Sequence, residues 1–185
     1  MNLKEITLNG KSLSEFTEGK TVENPCFKMN GKAFKSVYDL KKGMEITEST
    51  VTSQSVGTES YHYEPSIPFI MWTDGISQFI KEENAVWLLT LVASYAREVS
   101  DILATVSPSG EISYKENPRG KDNFLYVSLT KGEDNDALFT IEHDCYEDGE
   151  ECVKALAVQY IPYTDISESV FLYLEDSVLL FPSEH

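Results

Sequence analysis

The chain has 185 residues and a formal net charge of −16, from 15 Lys and Arg against 31 Asp and Glu. Its length suits one ordinary domain, or a domain with a small extension, and it needs neither a disulfide nor a metal to fold. Hydrophobic residues are 41% of the chain and aromatics 11%, which excludes a wholly disordered acidic protein. The shortage of Lys and Arg argues against direct binding to nucleic acid or to an anionic membrane surface.

The charge is uneven. Residues 1–66 carry eight lysines against nine acids, whereas residues 133–185 carry 14 acids and one base, Lys154. Residues 1–6 lack the apolar stretch of a secretory leader. The longest apolar run, residues 85–93, is interrupted by Thr90 and is half a bilayer crossing. With three cysteines, an odd count, these features predict a cytoplasmic chain with reduced thiols.

In chain order, residues 1–60 read as a small N-terminal extension or subdomain, and residues 61–185 as an α+β core domain. Asn30-Gly31 between two short apolar stretches signals a hairpin with a type I′ turn. Ser36 is placed to cap a short helix over 37–42, stopped by Gly43. Residues 45–57 are rich in Thr, Ser and Val and read as an edge strand or a connection. Pro65 and Pro68 mark a boundary or crossover near residue 60. Thr73 or Asp74 caps a helix carrying Ile76, Phe79 and Ile80. The pattern resumes over 85–103, where Thr90, Ser94, Arg97 and Asp101 form one polar stripe on a helix otherwise apolar, Trp87 included.

Hairpins follow. Residues 107–110 are a turn and 111–115 a short strand. Leu125, Val127 and Leu129 share one strand face. A loop over 131–136 leads to a strand over 137–145, and Asp148-Gly149 turns it into 153–160. A last pair spans 170–174 and 178–181. Helices followed by a run of hairpins predict α+β: an antiparallel sheet of hairpins packed against one long buried helix and a shorter one.

The stretch from Glu142 to Cys152 holds the most reactive side chains. His143, Cys145 and Cys152 are weak candidates for metal ligands, with no fourth ligand nearby. A two-residue turn at Asp148-Gly149 sets Glu147 opposite Glu150, Cys145 opposite Cys152 and His143 opposite Lys154. Alternation then puts His143, Cys145, Cys152 and Lys154 on the face of Phe139, Ile141, Leu156 and Val158, so both cysteines read as small buried hydrophobes. A disulfide between them is compatible with the spacing of opposed residues. No nucleophile elbow or phosphate-binding glycine loop occurs, and no cofactor is expected. Tyr61-His62-Tyr63 and Tyr160-Ile161-Pro162-Tyr163 are aromatic clusters that read as core or interface.

Thr73-Asp74-Gly75, Ala85-Val86-Trp87-Leu88-Leu89 and Ala93-Ser94-Tyr95, with Tyr163-Thr164-Asp165 and Pro182-Ser183-Glu184 near the end, resemble an uncharacterised domain-of-unknown-function family of small bacterial, plasmid and phage proteins. The resemblance covers about residues 59–104 and 155–185. It implies an accessory gene of a mobile element and no catalytic residues. The resulting expectation is a non-enzymatic interaction protein. Its acidic residues Glu133, Asp134, Asp136, Glu147, Asp148, Glu150 and Glu151 would face a protein with a basic surface and block a host defence or nucleic-acid-binding complex by imitating nucleic-acid charge. The alternative is a small metal-dependent or hydrolytic enzyme using His62 or His143 with nearby acids. Homo-oligomerisation is left open.

Overall fold

The computed structural model describes residues 1–53 and 58–185. The fold is mixed α+β, with mostly antiparallel sheets and three α-helices among the described residues. In chain order the elements are β1 (Thr7–Leu8), β2 (Lys11–Ser12), β3 (Lys20–Thr21), β4 (Phe27–Met29), β5 (Lys32–Phe34), α1 (Val37–Gly43), β6 (Thr50–Val51), β7 (His62–Glu64) and β8 (Ile67–Trp72). There follow α2 (Asp74–Glu82), α3 (Val86–Val99), β9 (Ile102–Val106), β10 (Ile112–Glu116), β11 (Phe124–Lys131), β12 (Ala137–Glu147), β13 (Glu150–Ile161), β14 (Ser169–Glu175) and β15 (Val178–Leu180). They divide into two compact units: Met1–Thr50 with Tyr126–Val170, and Val51–Leu125 with Phe171–His185.

In the first unit, a small sheet of order β2-β1-β4-β5 contains the predicted hairpin, with Asn30 and Gly31 at φ of 50° and 77°. Those positive values are what a type I′ turn demands. Ser36 caps α1 as expected, its hydroxyl accepting from the Asp39 N–H at 2.9 Å. The predicted segment over 45–57 contributes only the two residues of β6 as strand, and its positions 54–57 lie outside the described residues.

The long hairpin of β12 and β13 turns at Asp148 and Gly149, φ 53° and 85°. Cys145 opposes Cys152 and His143 opposes Lys154, as the turn predicts. One irregularity changes the faces. Glu142 pairs with Ala155 but Ile141 pairs with Ala157, so Leu156 is an extra residue in β13. A bulge of this kind reverses the alternation beyond it. Val158 therefore lies opposite Thr140, on the Leu138 face rather than the Phe139 face the sequence predicts. Leu138, Ala155 and Val158 form a core with Leu3, Ile6, Leu8, Leu13, Phe16, Phe27, Val37 and Leu40. The N-terminal residues thus supply most of the apolar side chains covering this face. At roughly 25 cal/mol per Å2 of apolar area, that burial stabilises the packing of the N-terminal residues on the hairpin.

In the second unit, the sheet order runs β10-β9-β8-β15-β14, with β7 also on β8. β15 and β8 are parallel, so the sheet is mixed and not the purely antiparallel one predicted. β8 is also a strand that sequence reasoning misses, because Pro65 and Pro68 read as breakers. The chain accommodates Pro68 with Phe69 at φ 75°, a strained value for an aromatic residue, before the strand continues. α2 begins at Asp74 behind Thr73, as expected.

α3 corrects the predicted helix over 85–103. It ends at Val99, Ser100 is already extended at φ −78° and ψ 134°, and Ile102 and Leu103 belong to β9. The loop after β10 captures the chain here: the Asp101 N–H donates to the Asp122 carbonyl at 3.0 Å, and Asn117 donates to the carbonyls of Arg97 and Ser100. The wet face of α3 is also broader than predicted, because Val86 and Trp87 are exposed.

Candidate interaction surface and the His62–Asp74 pocket

The seven predicted acidic residues divide into two groups. Glu133 and Asp134 lie in the loop before β12, exposed, with Asp134 paired to Lys4. Asp136 is buried: it accepts from the Tyr160 hydroxyl at 2.8 Å and so is no part of an exposed surface. Burial and that carboxylate push the Tyr160 phenol up to about 12. The other four flank the far end of the hairpin, and the 11 residues of β12 between the groups span roughly 35 Å at about 3.4 Å per residue.

At that far end Asp148, Glu150 and Glu151 are exposed, and Tyr146 beside them is 72% exposed. Glu147 is held between Lys35 and Lys154, which lower its carboxyl below the usual range. Cys145 and Cys152 are joined by a disulfide, with Cα atoms 5.0 Å apart. This corrects the expectation of reduced thiols for these two cysteines, while Cys26 is free. The opposed register alone brings the two Cα atoms into disulfide range. Neither sulfur is then a thiolate for a metal, and both side chains are half-buried rather than buried. Among the described residues no three His, Cys, Asp or Glu side chains gather as a metal site. The face of β12 leading to the tip continues the same chemistry. The Tyr126 hydroxyl donates to the exposed Asp144 at 2.8 Å, and the half-exposed Tyr38 stacks on Tyr126 at 6.5 Å.

Glu142, two pairs further in from Asp144, is a residue that sequence reasoning treats only as one more acid. It is fully buried and accepts from the N–H groups of Val37 at 2.7 Å and Tyr38 at 3.2 Å, the opening of α1. Burial pushes its carboxyl up to about 7, against the opposing pull of those two N–H groups and of the Lys41 charge.

The second unit holds the other cluster. His62, on β7, sets its Nε2 2.5 Å from Oδ1 of Asp74, the first residue of α2. Asp74 also accepts from the N–H groups of Glu59 at 2.7 Å and Ser60 at 3.1 Å. The Glu59 N–H, then His62 and the Ser60 N–H, lower its carboxyl to about 2. These residues open on a cavity of about 730 Å3, also lined by Ser77, Lys81 and Glu82. A histidine oriented by a carboxylate is suited to proton transfer. Of the neighbouring hydroxyls, Ser60 Oγ donates to the same Asp74 Oδ1 at 3.4 Å, and Ser77 Oγ accepts from Trp72 Nε1 at 3.0 Å. His143, on β12 in the first unit, does not line this cavity.

Next to Asp74, the Glu184 carboxylate accepts from the Thr73 hydroxyl at 2.7 Å and the Gly75 N–H at 3.2 Å. A Cβ on Gly75 would stand 2.7 Å from that carboxylate, so a side chain there would displace it. Thr73-Asp74-Gly75 and Pro182-Ser183-Glu184, distant in sequence, are therefore one structural lock at the start of α2.

Residues 46–185 match the model of a family of unknown function, DUF6876. The chain belongs to this family. No curated protein and no solved structure matches it. The DUF6876 region includes both halves of the Glu184 lock, the His62–Asp74 pair and the whole β12–β13 hairpin. Residues 1–45, which cover the Leu138 face, lie outside the match.

Proposed function

We propose that this DUF6876 chain is a non-enzymatic interaction protein. Its disulfide-clasped hairpin tip, with Asp148, Glu150, Glu151 and Tyr146, enters a basic groove of a partner that handles nucleic acid. The observation that carries this reading is the concentration of exposed carboxylates and an exposed tyrosine at the end of one long hairpin. Arginine-rich surfaces suit such a tip, because guanidinium groups pair with carboxylates and stack on aromatic faces. The charge of a nucleic-acid backbone would be imitated there, which fits a role in blocking a defence or nucleic-acid-binding complex.

The test is capture of partners by the tagged full chain from host lysate, eluted with rising salt and, separately, with double-stranded DNA. A basic protein released by either eluent, and not captured by the triple variant Asp148→Lys, Glu150→Lys, Glu151→Lys, is the expected result. Exposed charges are screened beyond about 8–10 Å at physiological ionic strength, so release should come well below about 1 M salt. Capture indifferent to salt, or unchanged in the triple variant, would sink the proposal.

A further inference from the structure

Strand β10 is exposed on both faces: every residue from Glu111 to Glu116 is exposed, Ile112 at 42% and Tyr114 at 58%. Among the described residues it pairs only with β9. An edge strand that buries neither face and shows two large apolar side chains is a template for another strand.

Its hydrogen bonding shows which groups face outward. The ladder with β9 is bracketed by Ser107 N–H to the Glu111 carbonyl at 2.9 Å and Asn117 N–H to the Asp101 carbonyl at 2.6 Å. Antiparallel pairs alternate between bonded and non-bonded. The bonded pairs with β9 are therefore those of Ser113 and Lys115, and the N–H and C=O groups of Ile112, Tyr114 and Glu116 turn to the free edge.

We propose that β10 is a homodimer interface, in which two copies of the chain pair antiparallel about a two-fold axis at Ser113. In that register Ile112 of each copy exchanges both backbone hydrogen bonds with Tyr114 of the other, the groups that already face outward. The same pairing lays Ile112 against Tyr114 twice on one face. On the other face it sets Glu111 against Lys115 twice. Moving the axis by one residue, to Tyr114, sets Ile112 against Glu116 and loses both ion pairs. The sequence is thus self-complementary in one register, as an isologous interface requires. Lysine on an edge strand ordinarily discourages pairing. Here Lys115 has an acid at its symmetry position, so it selects the register. The local charge does not oppose pairing at this edge. Residues 107–121 carry Lys115, Arg119 and Lys121 against Glu111 and Glu116, within a chain of net charge −16. This proposal is independent of the role of the acidic hairpin.

The test is sedimentation equilibrium of the full chain in about 0.15 M salt, where repulsion beyond about 8 Å is screened. So small an interface predicts a weak reversible dimer, formed between about 10 μM and 1 mM. Glu111→Lys and Lys115→Glu should each weaken it about tenfold or more, since either places like charges together twice. The double variant should restore it to within about threefold of the original, because the pairs re-form with reversed sign. Ile112→Pro should abolish dimerisation at unchanged thermal stability, as the lost N–H faces outward and edge strands tolerate proline there. A chain monomeric at about 1 mM overturns the proposal. So does a dimer insensitive to the single charge variants or to Ile112→Pro, or one that the double variant fails to restore.

Discussion

Glu142 in the first unit and Asp74 in the second each accept two backbone N–H groups, from Val37 and Tyr38 and from Glu59 and Ser60. Their proton affinities nevertheless move in opposite directions, Glu142 up to about 7 and Asp74 down to about 2. Glu142 is sealed in the core beneath α1, where loss of hydration outweighs two hydrogen bonds. Asp74 keeps contact with water and adds an imidazole partner. The same local hydrogen-bonding motif is thus a burial-dominated joint in one unit and a charge-stabilised cap in the other. The joint holds residues 1–45, outside the DUF6876 match, to a strand inside it, whereas Asp74 and its partners Glu59, Ser60 and His62 all lie within the match.

The largest effect is expected from removing the joint. Glu142→Ala leaves the Val37 and Tyr38 N–H groups buried without an acceptor and opens a void, which should cost about 2–4 kcal/mol of stability in urea denaturation. Glu142→Gln keeps an acceptor oxygen and should cost less than half as much. Equal losses in the two variants would show that the hydrogen bonds to α1 contribute little.

The next effect is on pH dependence. A carboxyl whose folded value is raised stabilises the fold fully below its ordinary value of 4.5, and that contribution is lost as pH rises through about 7. Between pH 4.5 and 7 the native state binds the extra proton. Wild-type stability should therefore fall by on the order of 1–3 kcal/mol across this window, and Glu142→Gln should flatten the fall. The comparison of the two variants across the window isolates Glu142 from the titration of other groups. A fall of equal size in both would assign it elsewhere.

Much of the local structure is legible in the sequence, because its signals are short-range. Asn30-Gly31 and Asp148-Gly149 fix their turns through backbone torsions, and Ser36 and Thr73 cap their helices through a hydroxyl three residues from its donor. The opposition of Cys145 and Cys152 follows from the turn alone. Less accessible are features decided by distant partners. The extra residue Leu156 has no sequence signature, yet it moves Val158 to the other face. The end of α3 depends on Asn117 and Asp122, far along the chain. Asp136 looks like any other acid of its loop until Tyr160 is found against it. The tip residues Asp148, Glu150 and Glu151 are exposed beside the turn that the sequence marks. The pairing of His62 with Asp74 needs β7 and α2 brought together, which Pro65 and Pro68 conceal.

The smallest effect is expected at the cap in the second unit. A carboxyl whose folded value is depressed stabilises above its ordinary value of 3.8, and the contribution is lost as pH falls toward about 2. The wild-type thermal midpoint should therefore drop between pH 4 and pH 2, and Asp74→Asn should weaken that drop while remaining folded at pH 7. His62→Gln, which preserves a donor toward Asp74 without an imidazole, should retain most of the acid-side drop. The Glu59 N–H, and not the ring, is the largest cause of the depressed value. If His62→Gln instead removes the drop as fully as Asp74→Asn, the ion pair dominates. The cap would then be a charge pair and the contrast with Glu142 one of partners as well as of burial.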